Sequence, residues 1–140
     1  MIVDASVWVA RFLVLDRHHD VAKACITALL EQEFRLVIPV LAWPEVSGAI
    51  ARRTGTPRDG HDAVDIIRAL RWIESVPLDA ALAHEAAKIA DSRRLRGADA
   101  VYVALAATRR APLITLDSEM LERAREVTEV LTPDQWLQSH

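Results

Sequence analysis

Short runs of aliphatic residues alternate along this chain with longer stretches in which apolar residues recur every three or four positions. The runs at 1–3, 36–39 and 112–116 are bounded by polar or turn residues, a pattern typical of buried strands. The longer stretches predict amphipathic helices. Strands that alternate with helices indicate an α/β fold in which helices cover both faces of a mostly parallel sheet.

The pattern also predicts where each element lies. We expect helices over 7–15, 20–31, 41–53, 62–72, 79–94, 98–107 and 118–125, a closing helical turn over 133–139, an extended segment over 75–78 and a last strand over 127–131. Pro77 suggests that the 75–78 segment lies at the edge of the sheet. Pro57 and Gly60 predict a loop over 56–60. The opening strand is expected at the centre of the sheet.

The length of 140 residues and a composition of 51% hydrophobic and 26% charged residues predict a single domain over 1–140 with one core. Cys25 is the only cysteine, which excludes an internal disulfide and fits a reducing compartment. The sequence lacks a basic segment followed by an unbroken apolar one, and no apolar run is long enough to cross a membrane. We therefore expect a cytoplasmic protein with no membrane partner.

Four acidic residues stand in positions where a carboxylate is unusual. Asp4 and Asp117 each end an apolar strand, Asp99 is the only charge in a helix that is apolar nearly all round, and Glu45 lies on the small-residue face of its helix. Because the carboxyl ends of parallel strands meet at one edge of a sheet, these acids are expected to share a cleft. Helix capping for the three aspartates and a surface position for Glu45 are the alternative interpretations.

Four converging carboxylates repel one another unless a cation neutralises them. Oxygen ligands without cysteine or paired histidines suit Mg²⁺ or Mn²⁺ rather than Zn²⁺, and such ions bind phosphate groups and can activate a water for phosphodiester hydrolysis. Ser6 and Thr115 each lie two residues from an acid and could orient these ligands. Turn or capping roles explain the two hydroxyls equally well.

Four motifs follow one another along the chain: Ile-Val-Asp-Ala-Ser at 2–6, Pro-Glu-Val at 44–46, Gly-Ala-Asp-Ala-Val-Tyr-Val-Ala-Leu-Ala at 97–106 and Leu-Ile-Thr-Leu-Asp at 113–117. In this order and context they resemble the PIN-domain ribonucleases, most closely the VapC toxins of bacterial toxin–antitoxin pairs. The resemblance implies a three-layer α/β/α PIN-like fold and a Mg²⁺- or Mn²⁺-dependent endoribonuclease whose metal-binding and catalytic acids are Asp4, Glu45, Asp99 and Asp117. Glu119 could share or replace the role of Asp117. The resemblance also implies a homodimer and a cognate antitoxin that blocks the site.

RNA contacts have weaker candidates. Tryptophan rings can stack on bases, and Trp8 and Trp43 each lie near a proposed metal ligand, although core packing is the commoner role of tryptophan. Arginine forks bind phosphates, and Arg93 and Arg96 belong to a basic cluster that could equally be a solvated surface.

Other functions are less well supported. The net charge of −3 argues against binding of nucleic acid through bulk charge. A phosphatase of the haloacid dehalogenase type usually has a second aspartate two residues after the first, where this chain has Ser6. A metal-dependent nuclease acting on DNA, and a PIN-like module that binds RNA or protein without cutting, remain open alternatives.

Overall fold

Five short strands form one parallel sheet in the computed structural model, which describes all residues from Met1 to His140. The strands are β1 (Ile2–Val3), β2 (Leu36–Pro39), β3 (Ile73–Val76), β4 (Leu113–Ile114) and β5 (Val130–Leu131), and their spatial order is β3-β2-β1-β4-β5. Every neighbouring pair is parallel, with Ile2 opposite both Val37 and Leu113. The predicted central position of β1 and the edge position of β3 are both confirmed.

Eight helices connect and cover these strands. They are α1 (Ala5–Phe12), α2 (His19–Glu31), α3 (Ala42–Thr54), α4 (Pro57–Ala69), α5 (Ala80–Arg93), α6 (Gly97–Arg109), α7 (Ser118–Arg123) and α8 (Pro133–Ser139). The predicted α/β fold, a parallel sheet between helical layers, is confirmed. None of the eight helices combines the length and the apolar character needed to cross a lipid bilayer.

The core is built around β1 and α6. Ile2 and Val3 are fully buried in the middle of the sheet, and α6 is buried continuously from Asp99 to Ala106. Helix α6 packs against β1, β2 and β4, so an almost wholly apolar sequence is stable there. This burial carries Asp99, near the start of α6, to the carboxyl edge of the sheet.

The predicted loop over 56–60 is wrong, because α4 begins at Pro57. Proline fits the first position of a helix, where its missing N–H would have no partner. Gly60 is buried where α4 meets α3, and a Cβ added to it would lie 2.3 Å from the backbone oxygen of Ser47. Here glycine marks a close approach of two helices rather than a turn.

Other boundaries also differ from the pattern. Helix α4 ends at Ala69 instead of 72, β3 spans Ile73–Val76 instead of 75–78, and α1 starts at Ala5 instead of residue 7. Apolar periodicity marks the face of a helix better than its ends, which depend on backbone partners. Asp4 supplies that partner for α1, since its side chain accepts a hydrogen bond from the Ser6 N–H.

Candidate active site

Four acidic side chains from four parts of the fold line one cleft at the carboxyl edge of the sheet. Asp4 follows β1, Asp117 follows β4, and Glu45 and Asp99 lie in the first turns of α3 and α6. The cleft has a volume of about 230 Å³ and is lined by Asp4, Ala5, Ser6, Glu45, Arg96, Ala98, Asp99 and Asp117. All four predicted acids thus line the same cleft, and Asp4 and Asp117 share this edge because β1 and β4 are adjacent and parallel.

Asp4 is held firmly on one side only. The residue is 5% exposed, and its Oδ2 atom accepts hydrogen bonds from the Thr115 hydroxyl at 2.8 Å, the Ser6 N–H at 3.3 Å and the Ser6 hydroxyl. The Oδ1 atom accepts no hydrogen bond and is not fully buried. One oxygen of Asp4 is therefore fixed by the protein while the other stays open to the cleft.

Ser6 and Thr115 also tie the ends of β1 and β4 together. The Leu116 N–H donates to Ser6 Oγ at 3.1 Å, and the Asp117 N–H donates to Thr115 Oγ1 at 3.0 Å. Thr115 is fully buried, so its hydroxyl has a fixed set of partners. Each hydroxyl donates to Asp4 and accepts from a backbone N–H, so these contacts are compatible with both the predicted orienting role and the alternative turn role.

Glu45 is positioned by a tyrosine that the sequence interpretation missed. The Tyr102 hydroxyl donates to Glu45 Oε2 at 2.6 Å, and Tyr102 itself is fully buried in α6. Tyr102 stands three residues after Asp99, the spacing that places two side chains on the same face of a helix. That spacing was the available signal. The other oxygen, Glu45 Oε1, accepts no hydrogen bond.

Arg96 spans the mouth of the cleft. Its Nε donates to Asp99 Oδ2 at 2.6 Å and one of its terminal nitrogens donates to Asp117 Oδ2 at 2.7 Å. Asp117 also caps α7, since its Oδ1 accepts from the Met120 N–H at 3.0 Å. Asp99 lies in the first turn of α6 but accepts from no backbone N–H, so the alternative of a capping role for Asp99 is not supported.

Burial and mutual repulsion act on three of the acids. Burial raises the pKa of Asp4, Glu45 and Asp99 above the ordinary values, chiefly because a charged carboxylate is poorly solvated there. Asp4 and Asp99 raise the pKa of Glu45 further, and the contact with Asp99 raises the pKa of the Arg96 guanidinium. The cleft is a site in which added positive charge is favourable.

The PIN domain family matches residues 1–126 of the chain. The chain belongs to the PIN domain family. This membership separates it from the haloacid dehalogenase type of phosphatase.

Several solved structures share this PIN-domain fold. VapC20 of Mycobacterium tuberculosis, a sarcin-ricin loop cleaving toxin, has a TM-score of 0.72 at 21% identity, over 86% of this chain and 92% of its own. VapBC2 of Rickettsia felis, bound to a promoter DNA fragment, has a TM-score of 0.70 at 12% identity, over 94% and 96%. A toxin–antitoxin complex from Klebsiella pneumoniae has a TM-score of 0.67 at 18% identity, over 94% of this chain and 96% of its own. No curated protein matches the chain significantly.

The donor set of this PIN domain fits a hard divalent cation. Three carboxylate oxygens accept no hydrogen bond and are not fully buried: Asp4 Oδ1, Glu45 Oε1 and Asp99 Oδ1. Carboxylate oxygens are the ligands that Mg²⁺ and Mn²⁺ prefer. No three acidic, histidine or cysteine side chains stand close enough together to form a metal-binding cluster. Arg96 bridges two of the acids, Asp99 and Asp117, at the mouth of the cleft.

Two of the remaining predicted site residues lie outside the cleft of the PIN domain. Glu119 does not line it and lies 3.5 Å from a guanidinium nitrogen of Arg123. Arg93 forms an ion pair with Glu126 instead of facing the acids. Of the two basic candidates, only Arg96 borders the site.

The two tryptophan candidates differ in exposure. Trp8 is 0% exposed and belongs to the core, so its predicted stacking on RNA is wrong, because α1 directs this ring into the protein. Trp43 is partly buried, and the Arg68 guanidinium lies 5.1 Å from its ring centre. A base could stack only on the ring surface that Arg68 leaves free.

A first prediction concerns the stability of the metal-free PIN domain. Because the pKa of Asp4 is raised above its ordinary value of 3.8, the folded state binds more protons than the unfolded state in the window above that pH. The stability that protonated Asp4 contributes to the folded state is fully present below pH 3.8 and is lost as the pH rises through the raised pKa. Asparagine does not titrate, so Asp4→Asn should gain stability relative to wild type across this window.

Urea unfolding of both proteins between about pH 4 and pH 8, without metal, measures the difference. Asparagine caps a helix about as well as aspartate, so the loss of a cap should not mask the effect. A variant that is clearly less stable than wild type at the upper end of this range would show that the hydrogen bonds of the carboxylate outweigh its burial.

Proposed function

We propose that this PIN domain is a Mg²⁺- or Mn²⁺-dependent endoribonuclease of the VapC type. The observation that carries the proposal is the cleft itself, where four acids from separate elements converge and three keep an unpaired carboxylate oxygen. Membership of the PIN domain family and the fold shared with VapC20 support the same reaction class.

In this proposal Asp4, Glu45, Asp99 and Asp117 are the catalytic, metal-binding acids. A bound Mg²⁺ or Mn²⁺ would supply an activated water and neutralise charge on the phosphodiester. Ser6 and Thr115 fix the inner oxygen of Asp4, so the outer oxygen is already oriented toward the cleft and little conformational entropy is lost when a cation binds. Tyr102 does the same for Glu45. Arg96, at the mouth, is the basic side chain placed to contact an RNA phosphate.

The test is incubation of the purified protein with a structured RNA and with a DNA of the same sequence, each with Mg²⁺, with Mn²⁺ and with EDTA. We expect internal cleavage of RNA in the presence of either metal and none in EDTA. Equal cleavage of DNA would favour the general nuclease alternative. Absence of cleavage by folded protein, with binding of RNA retained, would favour a non-catalytic module.

A second prediction tests the positioning role of Thr115. Thr115→Val keeps the shape of this buried residue but removes the hydroxyl that contacts Asp4 and Asp117. We expect cleavage to fall by about 10- to 100-fold, the usual effect of losing a group that orients a metal ligand. Metal titrations of the rate should show a weaker apparent affinity as well.

Thr128→Val is the matched control for this prediction. Thr128 donates to the Ala111 carbonyl at 3.3 Å and does not line the cleft. Its loss should change stability slightly and leave cleavage unaltered. Equal losses of activity in both variants would mean that the effect of Thr115 is one of general stability.

We also propose that the protein is the toxin of a toxin–antitoxin pair, binds a cognate antitoxin and forms a homodimer. Support comes from structural relatives, since the Klebsiella pneumoniae relative is a toxin–antitoxin complex and the Rickettsia felis relative is bound to promoter DNA. Light scattering of the purified chain measures its oligomeric state. Expression with and without the product of a neighbouring small reading frame tests toxicity and its relief.

A further inference from the structure

One positive side chain already occupies the junction of two of the acids. The Arg96 guanidinium contacts Asp99 from α6 and Asp117 from the β4–α7 junction with two different nitrogens, at 2.6 and 2.7 Å. Both distances are in the range of charge-assisted hydrogen bonds. Arg96 is also the only basic residue among those that line the cleft.

We propose that Arg96 is the resident counter-ion of the acidic cleft and that it leaves Asp99 and Asp117 when a divalent cation binds. The inference rests on the proposed function, since it takes these two acids as metal ligands. It adds that the protein itself competes with the metal, so that metal affinity is set partly by a residue that is not a ligand.

The exposure of the paired groups makes such an exchange possible. The Arg96 side chain is 66% exposed, whereas the side chain of Asp99 is 11% exposed. Arg96 stands at the N-cap of α6 and its side chain caps no helix N–H. The carboxylates are thus held by the fold, and the guanidinium is free to turn into solvent.

The energetic effect of the competition is modest. Solvent-exposed ion pairs are individually weak, and a tenfold change in affinity corresponds to about 1.4 kcal/mol. Replacement of both ion pairs of Arg96 by the metal should weaken the metal affinity by about tenfold. Release would also make the guanidinium available to a phosphate group at the mouth of the cleft.

The experiment is calorimetric titration of Mn²⁺ into the purified full chain in the absence of RNA. We expect Arg96→Gln to bind Mn²⁺ about tenfold more tightly than wild type. The control is Arg93→Gln, which removes one positive charge from the end of α5, where Arg93 pairs with Glu126 and not with the acids of the cleft. This control should shift the affinity by less than about twofold, because long-range surface charge is screened by salt.

Unchanged or weaker binding by Arg96→Gln, or an equal gain in both variants, would overturn the inference and leave the proposed function standing. Absence of Mn²⁺ binding by wild type and both variants would instead remove the metal site on which both rest. A second measurement needs no variant: on titration of wild type with diamagnetic Mg²⁺, the Arg96 Nε–Hε NMR signal should shift as the bond to Asp99 breaks. A signal unmoved at saturating Mg²⁺ would also contradict the inference.

Discussion

Asp4→Asn is expected to reduce metal-dependent RNA cleavage by at least about 10³-fold, because metal-ion catalysis supplies several kcal/mol of transition-state stabilisation. The carbonyl oxygen of asparagine can accept the same hydrogen bonds from Ser6 and Thr115, so the fold around the site should persist. What is lost is the negative charge on the oxygen that faces the cleft. Asp99→Asn should have an effect of similar size. Single-turnover cleavage at saturating Mn²⁺ measures both.

Asp79→Asn is the matched control for Asp4→Asn. Like Asp4, Asp79 caps a helix, since it accepts from the Leu82 N–H at 2.8 Å at the start of α5, but it does not line the acidic cleft. If capping were the sole role of Asp4, the two variants would both keep their activity. Cleavage by Asp4→Asn at the wild-type rate would refute the metal-ligand assignment.

Gly60→Ala is expected to be strongly destabilising. The added Cβ would meet the Ser47 backbone oxygen at 2.3 Å, and backbone atoms in the middle of α3 cannot move without separating the two helices. Overpacking of this kind costs about 3 kcal/mol, which in a domain of this size corresponds to a fall in Tm of roughly 10 °C. Thermal unfolding followed by circular dichroism measures it.

Gly48→Ala provides the comparison within the same helix pair. A Cβ at Gly48 would meet only the end of the Arg52 side chain, at 3.1 Å, and that flexible group can move aside. Because alanine favours the helix over glycine by up to about 1 kcal/mol, this variant should be as stable as wild type or slightly more so. Similar Tm values for the two variants would show that α3 and α4 are not in close contact at Gly60.

Local sequence was sufficient to predict most of the architecture. Strand runs that end in Asp4 and Asp117 placed both acids at one edge, because parallel strands align their carboxyl ends. The continuous apolar character of α6 predicted a buried helix, which made the charge of Asp99 conspicuous. These inferences succeeded because each depends on residues that are neighbours along the chain or on a general rule of sheet topology.

Contacts between residues distant in sequence were not predictable in this way. Nothing in the pattern around 56–60 distinguished a loop from the start of α4, since proline and glycine serve both. Trp8 was a plausible surface for RNA until the packing of α1 placed it in the core. The hydrogen bond between Tyr102 and Glu45 joins residues that lie 57 positions apart in the chain.

The acids and the sheet edge on which they meet were therefore determined by the sequence alone, through strand order and burial. Only the tertiary structure decided how those acids are held: Thr115 on Asp4, Tyr102 on Glu45, and Arg96 between Asp99 and Asp117. The physical reason is that charge and hydrogen-bond energies depend on distances of a few ångströms, which are fixed only when separate elements pack together.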